Sequence, residues 1–331
     1  MVPIKNFPVH SLLLFILLAI LASCSPSPLQ ASPPEPISTP TPTPVTLPTG
    51  VGGGVIVFAS DRDRGRMDIY LINADGSELT QLTHTRDDEI APSWSPDGSK
   101  IAYLVSRHGQ LKLAILNLEF ALTDSGTDHP TFLVEDPLDS SSPSWSPDGN
   151  TVFYTANKND NLDLYKINVD GSSKKQLTQT DHHEKHPTLS PDGTKLVYCS
   201  NQSGSFDLYL VENFAPQVFQ NQLQIQLTSG DGDELFPVWS PDGTRILYTS
   251  TENGNKDLAI IHLDGSNPST IANTPADEWN ASWSPDGAQI VYSFFNFNNT
   301  LNDLYIYEFE NNRSYPITSD NFDNWWPAWR P

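Results

Sequence analysis

Pro92-Ser93-Trp94-Ser95-Pro96-Asp97-Gly98 is the most complete copy of a segment that recurs along this chain. The tetrad Ser-Pro-Asp-Gly occurs five times; Trp precedes four of the copies, and Leu189 precedes the other. A cut-off copy, Trp326-Pro327-Ala328-Trp329, follows near the C-terminus. The Trp position therefore falls at residues 94, 145, 189, 239, 283 and 329. A period of this length, with strand-like segments inside each unit, predicts a β-propeller.

Each repeat can be divided into four strands. Residues 92–95 form a first strand, and Pro96-Asp97-Gly98 forms the turn after it, because Pro presets φ and Gly accepts a positive φ. Residues 100–105 are apolar on both alternating faces, as expected of a second strand covered by neighbouring blades. Residues 68–72 represent the third strand, and Leu82-Thr83 ends the fourth. Each strand type occurs about six times, so we predict an all-β, six-bladed β-propeller of four-stranded antiparallel blades.

The order of the strands also predicts how the propeller closes. The repeats begin with a second strand near Ile56 and stop with a first strand at residues 325–329. We expect this C-terminal strand to pair with the N-terminal strands of residues 55–83 in one blade. Such pairing leaves no open sheet edge.

The N-terminus has the pattern of an exported protein. Lys5 precedes an apolar run at residues 12–22, which is too short for a mature transmembrane helix and leads into Leu21-Ala22-Ser23-Cys24. This tetrapeptide resembles a bacterial lipobox, which implies a signal peptide at 1–23 and lipid on Cys24; the alternative is an ordinary secretory signal. Residues 24–54 are rich in Pro, Ser and Thr and are predicted to be a disordered stalk, which leaves residues 55–331 for the propeller. We therefore expect a lipid-anchored protein that faces the periplasm or the cell exterior.

The charge and the cysteines exclude several classes of protein. The net charge is −22, and residues 1–54 contribute nothing to it because Lys5 and Glu35 cancel. An acidic domain is unsuited to nucleic acid and better suited to cations or to a basic protein segment. Cys199 lies in a strand pattern and is interpreted as a core residue without a disulfide partner. We expect a monomer.

Two columns of mostly acidic residues precede the first strands, six and five residues before the Trp position; we call them the minus-six and minus-five positions. Because they fall where the chain enters each innermost strand, they are predicted to surround one mouth of the central channel. One hypothesis is a binding ring for a basic segment or for calcium or another divalent cation; the other is that each acid caps local backbone donors or pairs within its own blade. The candidate ring comprises Asp88, Glu89, Asp139, His183, Glu184, Asp233, Glu234, Asp277, Glu278 and Asp323.

One blade carries the sequence Asp181-His182-His183-Glu184-Lys185-His186. Clustered imidazoles and carboxylates can bind zinc, manganese or nickel, so His182, His183 and His186 are candidate metal ligands. The alternative is a solvated loop before a strand. No Gly-x-Ser-x-Gly elbow, Cys-His pairing, phosphate loop or dinucleotide fingerprint occurs, and we therefore expect neither catalysis nor a cofactor.

The repeated Pro-x-Trp-Ser-Pro-Asp-Gly, Ile-x-Tyr, Asp-Leu-Tyr and Leu-Thr segments resemble the TolB-type, WD40-like propeller repeat from residue 55 to the C-terminus. The resemblance implies a six-bladed binding platform in the cell envelope, where TolB itself is a periplasmic partner of an outer-membrane lipoprotein. TolB has a small α/β domain before its propeller, whereas this chain has a lipobox and a stalk. Similar repeats occur in oligogalacturonate lyases, which implies the alternative of a metal-dependent enzyme acting on polysaccharide. The leading hypothesis is a membrane-anchored, non-catalytic scaffold that binds an envelope protein.

Overall fold

The computed structural model of the chain describes Pro48 and residues 53–331, except for 124–129, 135–137, 140, 273 and 298–299. The predicted signal peptide, Cys24 and nearly all of the predicted stalk lie outside the described residues. The described helices are α1 (Leu118–Thr123) and a 3-10 turn at Phe219–Asn221. The strands are β1 (Val55–Asp63), β2 (Arg66–Asn73), β3 (Thr80–Gln81), β4 (Asp88–Trp94), β5 (Lys100–Arg107), β6 (Gln110–Asn117), β7 (Thr131–Val134), β8 (Ser144–Trp145), β9 (Thr151–Lys158), β10 (Asn161–Asn168), β11 (Lys175–Gln176), β12 (Glu184–Leu189), β13 (Leu196–Ser200), β14 (Asp207–Val211), β15 (Gln224–Gln226), β16 (Glu234–Trp239), β17 (Arg245–Ser250), β18 (Asp257–His262), β19 (Ser269–Ala272), β20 (Asp277–Trp283), β21 (Gln289–Phe295), β22 (Asn302–Glu308), β23 (Arg313–Pro316) and β24 (Asn324–Trp329).

Within the described residues these strands form six four-stranded antiparallel sheets, which confirms the predicted six-bladed propeller. Blade 1 has the strand order β24-β1-β2-β3, and blades 2 to 6 take the remaining strands four at a time in chain order. The first strands β24, β4, β8, β12, β16 and β20 contact one another in a closed cycle. They are therefore the innermost strands and line the central channel.

Blade 1 closes the ring as the strand order predicts. β24 pairs antiparallel with β1, with Ile56 opposite Trp329 and Ser60 opposite Asn324. The Arg62 guanidinium fixes the other end of the pair: its Nη2 donates to Asn324 Oδ1 at 2.6 Å and lies 3.2 Å from Asp320 Oδ2. The two ends of the propeller sequence are thus held in one sheet.

The hydrophobic core is divided among the junctions between blades. The described residues form six apolar clusters, and each cluster takes its side chains from two neighbouring blades. This explains why the second strands are apolar on both faces: Ile101 and Tyr103 pack towards blade 1, whereas Ala102 and Leu104 pack towards blade 3. Cys199 is fully buried in the junction between blades 4 and 5, in agreement with its interpretation as a core residue.

The Trp position joins neighbouring blades. Trp94 Nε1 of blade 2 donates to the Ala328 carbonyl of blade 1 at 3.1 Å, and Trp145 Nε1 of blade 3 donates to the Ser93 carbonyl of blade 2 at 3.1 Å. Trp239 Nε1 makes the same bond to Thr188. Each of these three indoles is buried and also hydrogen-bonded across a junction, whereas Trp283 is buried without a partner for its Nε1 among the described residues.

The Ser-Pro-Asp-Gly tetrad forms the turn at one end of the channel, which we call the turn end. Ser95 Oγ donates to Asp97 Oδ1 at 2.6 Å, and the Ser99 amide donates to the same oxygen at 3.0 Å. These bonds lower the pKa of Asp97 to about 2. Gly98 has φ +66°, and a Cβ there would lie 2.7 Å from Arg330 Nε, so any other residue would be strained and would displace the arginine. The opposite end, where the innermost strands begin, is the entry end.

Candidate functional site

The minus-five glutamates lie inside the junctions between blades. Glu89 is 0% exposed, and it accepts a hydrogen bond from the Thr85 hydroxyl. It faces Asp68, a buried residue of β2 in the preceding blade, and burial raises the pKa of Glu89 to about 8 and that of Asp68 to about 6. A carboxyl pair of this kind holds a proton at neutral pH, because two buried negative charges side by side would be costly.

The same pairing recurs at three other junctions. In each of them burial raises the pKa of the glutamate to about 7, and the aspartate of the preceding blade raises it further. The pairs are Glu184 with Asp163, Glu234 with Asp207, and Glu278 with Asp257. The expectation that the minus-five column opens onto the channel mouth is therefore corrected for these glutamates, since their carboxyl groups are enclosed.

The minus-six residues cap backbone amides of the preceding blade. Asp88 Oδ1 accepts from the Met67 amide at 3.1 Å, and His183 Nδ1 accepts from the Leu162 amide at 3.2 Å. Corresponding bonds join Asp233 to Phe206, Asp277 to Lys256 and Asp323 to Asn302. These side chains are half-buried at the entry end. Capping accounts for their recurrence, and a cation-binding or partner-binding role for them stays a prediction.

Asp139 departs from this pattern. Its Oδ2 lies 3.3 Å from Lys185 Nζ of the next blade and accepts from the Ser141 hydroxyl at 2.8 Å. Burial opposes ionisation of Asp139, but the lysine charge prevails and lowers its pKa below the ordinary value. Ser140, the minus-five residue of this blade, lies outside the described residues.

The three candidate metal-ligating histidines do not converge. His182 is exposed, His183 caps the Leu162 amide, and His186 is buried with its ring centroid 4.2 Å from that of Phe236. In the part of the chain that the structure describes, no three His, Cys, Asp or Glu side chains are placed to hold one metal ion. The metal-site hypothesis is wrong for this trio: His182 and His183 lie before β12, whereas His186 lies within that strand on a left-handed backbone (φ +52°).

A surface that the sequence did not reveal lies one residue further along, at the minus-four position. Leu235, Trp279 and Trp325 are half-buried there, and we call these three residues the aromatic rim. The two indole rings are 4.8 Å apart, and Lys256 Nζ lies 3.4 Å from the centre of the Trp279 ring. Blades 5, 6 and 1 contribute this rim, whereas Lys185 holds the equivalent position in blade 4. The residue type changes from blade to blade, so no repeat pattern could identify the rim.

Beyond the rim, the channel contains a cavity of about 240 Å³ that all six innermost strands line. The minus-three residues supply its most varied side chains, among them His186, Phe236, Asn280 and Trp326. All four have a positive φ of 51° to 55° at a bulge in the innermost strand. The residue type at the minus-three position varies from blade to blade, and this variation is the one sign in the sequence that the position has a function.

The described residues contain no helix long and apolar enough to cross a membrane.

Comparison with known proteins places the repeat in a family. Residues 119–331 match the TolB beta propeller domain, and residues 59–168 match the dipeptidyl peptidase IV N-terminal region. A protein TolB homolog of Chlorobaculum tepidum is 33% identical over 124 residues, which are 38% of this chain and 26% of that protein. One from Chlorobium luteolum is 30% identical over 39% of this chain and 27% of its own length. The matched segments thus span about a quarter of these relatives.

Solved structures show the same fold. TolB from Acinetobacter baumannii superimposes with a TM-score of 0.71 at 23% identity, covering 84% of this chain and 67% of that one. An oligogalacturonate lyase in complex with manganese superimposes with a TM-score of 0.55 at 15% identity, covering 80% and 73%. Because the family match covers more than half of the sequence and the propeller is complete in the structure, this chain belongs to the TolB beta propeller domain family.

Proposed function

We propose that this protein is a lipid-anchored, non-catalytic scaffold of the bacterial cell envelope that binds another envelope protein at the entry end of its channel. The observation that carries the proposal is the aromatic rim of Leu235, Trp279 and Trp325, three half-buried apolar side chains on adjacent blades. Trp is enriched among the residues that dominate protein–protein binding energy, particularly within water-excluding surroundings. Relatives named Tol-Pal system protein TolB, at 26% to 27% identity, support an envelope role.

The charge around the rim favours a basic segment as the partner. The minus-six carboxylates of blades 5, 6 and 1 are Asp233, Asp277 and Asp323, and each uses one oxygen to cap an amide. Lys256 Nζ lies 3.9 Å from the other oxygen of Asp277, while Asp233 and Asp323 add negative charge at the entry end of a domain with a large excess of acidic residues. Complementary charge accelerates association and selects partners, while the apolar rim supplies affinity.

We expect a photoreactive phenylalanine analogue in place of Phe322 to crosslink the partner in intact cells. Phe322 is 38% exposed and lies three residues before Trp325, in the loop that leads into β24. The same analogue in place of Pro147, an exposed turn-end residue, should give no crosslink. Trp279→Ala combined with Trp325→Ala should remove the crosslink at 322, because the two rings are the expected anchors. Mass spectrometry of the crosslinked band identifies the partner.

Leu79→Ala, at an exposed apolar residue before β3, serves as the control variant and should leave the crosslink intact. Melting curves verify that each variant is folded. Equal crosslinking from 322 and 147, or a crosslink that survives loss of both rim indoles, would contradict the proposal.

The proposed anchor is an acyl group on Cys24. Cys24→Ser should move the protein from the membrane fraction to the soluble fraction after a high-salt wash, since each buried CH₂ of an acyl chain contributes about 0.8 kcal/mol of membrane affinity. Cys199→Ala, at the buried core cysteine, should leave the protein in the membrane fraction. Membrane retention of the Cys24→Ser variant would show that the anchor is not at this residue.

A further inference from the structure

We propose that a pocket at the turn end, between blades 3 and 4, binds a small neutral molecule with an indole ring. The pocket has a volume of about 320 Å³ and is lined by Phe153 and Lys166 of blade 3 and by Leu189 and Phe214 of blade 4. The turn of residues 146–148 also lines it. Because the aromatic rim lies at the opposite end of the channel, this inference is independent of the proposed binding of an envelope protein there.

The pocket occupies the place that an indole fills at other junctions. In blade 4 alone, Leu replaces Trp at the Trp position. At the junction of blades 5 and 6, Trp283 packs in one cluster with Leu247 and Ile260 of the preceding blade. Phe153 and Lys166 hold the corresponding registers in blade 3, and both line the pocket. Phe153 is larger than its counterpart and takes up part of the space, and a pocket of about 320 Å³ remains.

Lys166 is a second change at the same junction. It is half-buried, whereas the same register is aliphatic in the other five blades, at Leu71, Ile115, Leu210, Ile260 and Ile306. Its ammonium group makes no hydrogen bond or ion pair with any residue that the structure describes. An apolar register has therefore gained a cation without a protein partner, beside the one Trp position that lacks an indole.

Indoles at the Trp position contact cations elsewhere in this propeller. The Arg330 guanidinium lies 5.3 Å from the centre of the Trp94 ring. The Arg245 guanidinium lies 4.9 Å from the centre of the Trp283 ring. A cation over an aromatic face is attracted by the negative potential of the ring, and indole is the best side-chain partner. Lys166 can make this contact with an indole ring held in the pocket.

Phe214 lacks the stacked ring that its counterpart in blade 6 has. The amides of Phe214 and Phe309 each donate to the carbonyl of the residue after the tetrad glycine of their own blade, so the two rings share a register. Phe309 stacks on Trp283, with the ring centroids 5.3 Å apart and an interplanar angle of 13°. Phe214 makes edgewise contacts with Phe153 and Phe219, at 64° and 71°. A ligand ring would supply the stacked partner.

The size and charge of the pocket favour one neutral ring system. Small-molecule pockets have volumes of about 300–1,000 Å³, and this pocket is at the lower end of that range. Asp148 and Asp192 line it and are exposed. The hydroxyl groups of Ser146 and Ser190 donate to these carboxylates and lower the pKa of both, that of Asp192 to about 2. The two carboxylates repel an anionic ligand, and Lys166 repels a cationic one.

A fluorinated indole is the probe, and fluorine NMR of the probe with the full chain measures binding. The probe resonance is expected to shift or broaden saturably, with a Kd of about 1 mM or below. The fluorine signal is separate from those of the tryptophans of the protein, so the titration reports the ligand alone.

Leu189→Trp tests the location of the site. The variant places the side chain of the repeat itself in the pocket, and saturable binding of the probe should be lost. Leu223→Trp is the matched control, because it makes the same substitution at a residue that is 77% exposed. It should bind the probe as the wild type does.

Lys166→Met tests the cation. Methionine keeps an unbranched side chain at a register that is aliphatic in the other blades, so the variant should fold. The probe should bind it about fivefold more weakly, the equivalent of about 1 kcal/mol for a cation–π contact. Lys158→Met, at an exposed lysine of the same blade, should retain the wild-type affinity.

Three outcomes would overturn the proposal. The first is no saturation by about 10 mM probe, ten times a Kd of about 1 mM. The second is unchanged affinity in folded Leu189→Trp protein, which would place the probe elsewhere. The third is unchanged affinity in folded Lys166→Met protein. The first uses the wild-type chain, so the proposal remains testable if both variants fail to fold.

Discussion

Truncation of the chain after Ser319 is expected to abolish cooperative unfolding of the whole propeller. The truncation removes β24, and with it the hydrogen bonds along β1, the Ala328 carbonyl that accepts from Trp94, and the buried Trp329 side chain. Loss of a buried Trp side chain alone costs about 3–5 kcal/mol. Whole domains have only about 5–15 kcal/mol of stability, so loss of the complete strand should exceed what the ring can tolerate.

Urea unfolding followed by circular dichroism provides the measurement. The full chain should show one steep transition, and the truncated chain a broad transition or none. Removal of Pro331 alone, an exposed residue beyond β24, is the control and should not shift the midpoint. A synthetic peptide of residues 320–331 should restore part of the cooperativity. An unchanged transition in the truncated chain would refute closure of the ring through β24.

The second large effect is a loss of stability as the pH rises from 5 to 8. The buried carboxyl pairs carry it: the pKa of Glu89 is about 8 in the folded protein against an ordinary value of 4.5, and those of Glu184, Glu234 and Glu278 are about 7. Between these values the folded state retains protons that the unfolded state releases, and each increase in pH therefore favours unfolding. The stabilisation that these protonated glutamates provide is fully present below about pH 4.5 and is lost as the pH rises through 7 to 8.

The magnitude is large because four junctions contribute. One unit of pKa shift corresponds to about 1.4 kcal/mol, so four buried glutamates can change the unfolding free energy by several kcal/mol. His186 acts in the opposite direction, since its lowered pKa destabilises the fold below about pH 6.5. The effect of one histidine on the unfolding free energy does not offset that of four glutamates. His186 is also present in the wild type and in every variant compared below.

Glu89→Gln isolates one pair. The variant keeps the shape of the side chain but cannot lose a proton, so its free energy of unfolding should fall less steeply between pH 5 and pH 8 than that of the wild type. Urea midpoints at several pH values measure the two slopes. Glu310→Gln, at an exposed residue in the turn between β22 and β23, should retain the wild-type slope. Identical slopes for the Glu89 variant and the wild type would contradict the assigned protonation.

The fold could be predicted because its determinants repeat. Trp94 and its counterparts mark one register in each blade, and the strand count leaves β24 as the partner of β1. Each determinant is local, either a turn or an apolar run, and appears directly in the sequence. The minus-six and minus-five columns are also visible in the sequence, which predicts that both surround the channel mouth or cap backbone amides. Because acidic side chains are usually exposed, the sequence does not reveal that the minus-five glutamates are enclosed.

Burial of the minus-five glutamates depends on a partner in another blade. A signal was nonetheless present. One register of the third strands holds an Asp wherever the next blade has Glu at minus-five, namely Asp68, Asp163, Asp207 and Asp257. The same register holds Asp303 before Asn324 and Lys112 before Ser140. The cavity residues had no such signal. A left-handed backbone at Phe236 or Trp326 cannot be inferred from residue type, because bulky side chains rarely adopt it.

The Cys199 thiol can report local opening of this propeller. The thiol is fully buried where blades 4 and 5 meet, and burial raises its pKa far above the usual range, so a reagent that needs the thiolate cannot react with the closed ring. Alkylation at Cys199 therefore requires transient opening of the junction between blades 4 and 5, and the alkylation rate measures how often this junction opens. The opening rate of one junction can thus be measured separately from global unfolding of the propeller.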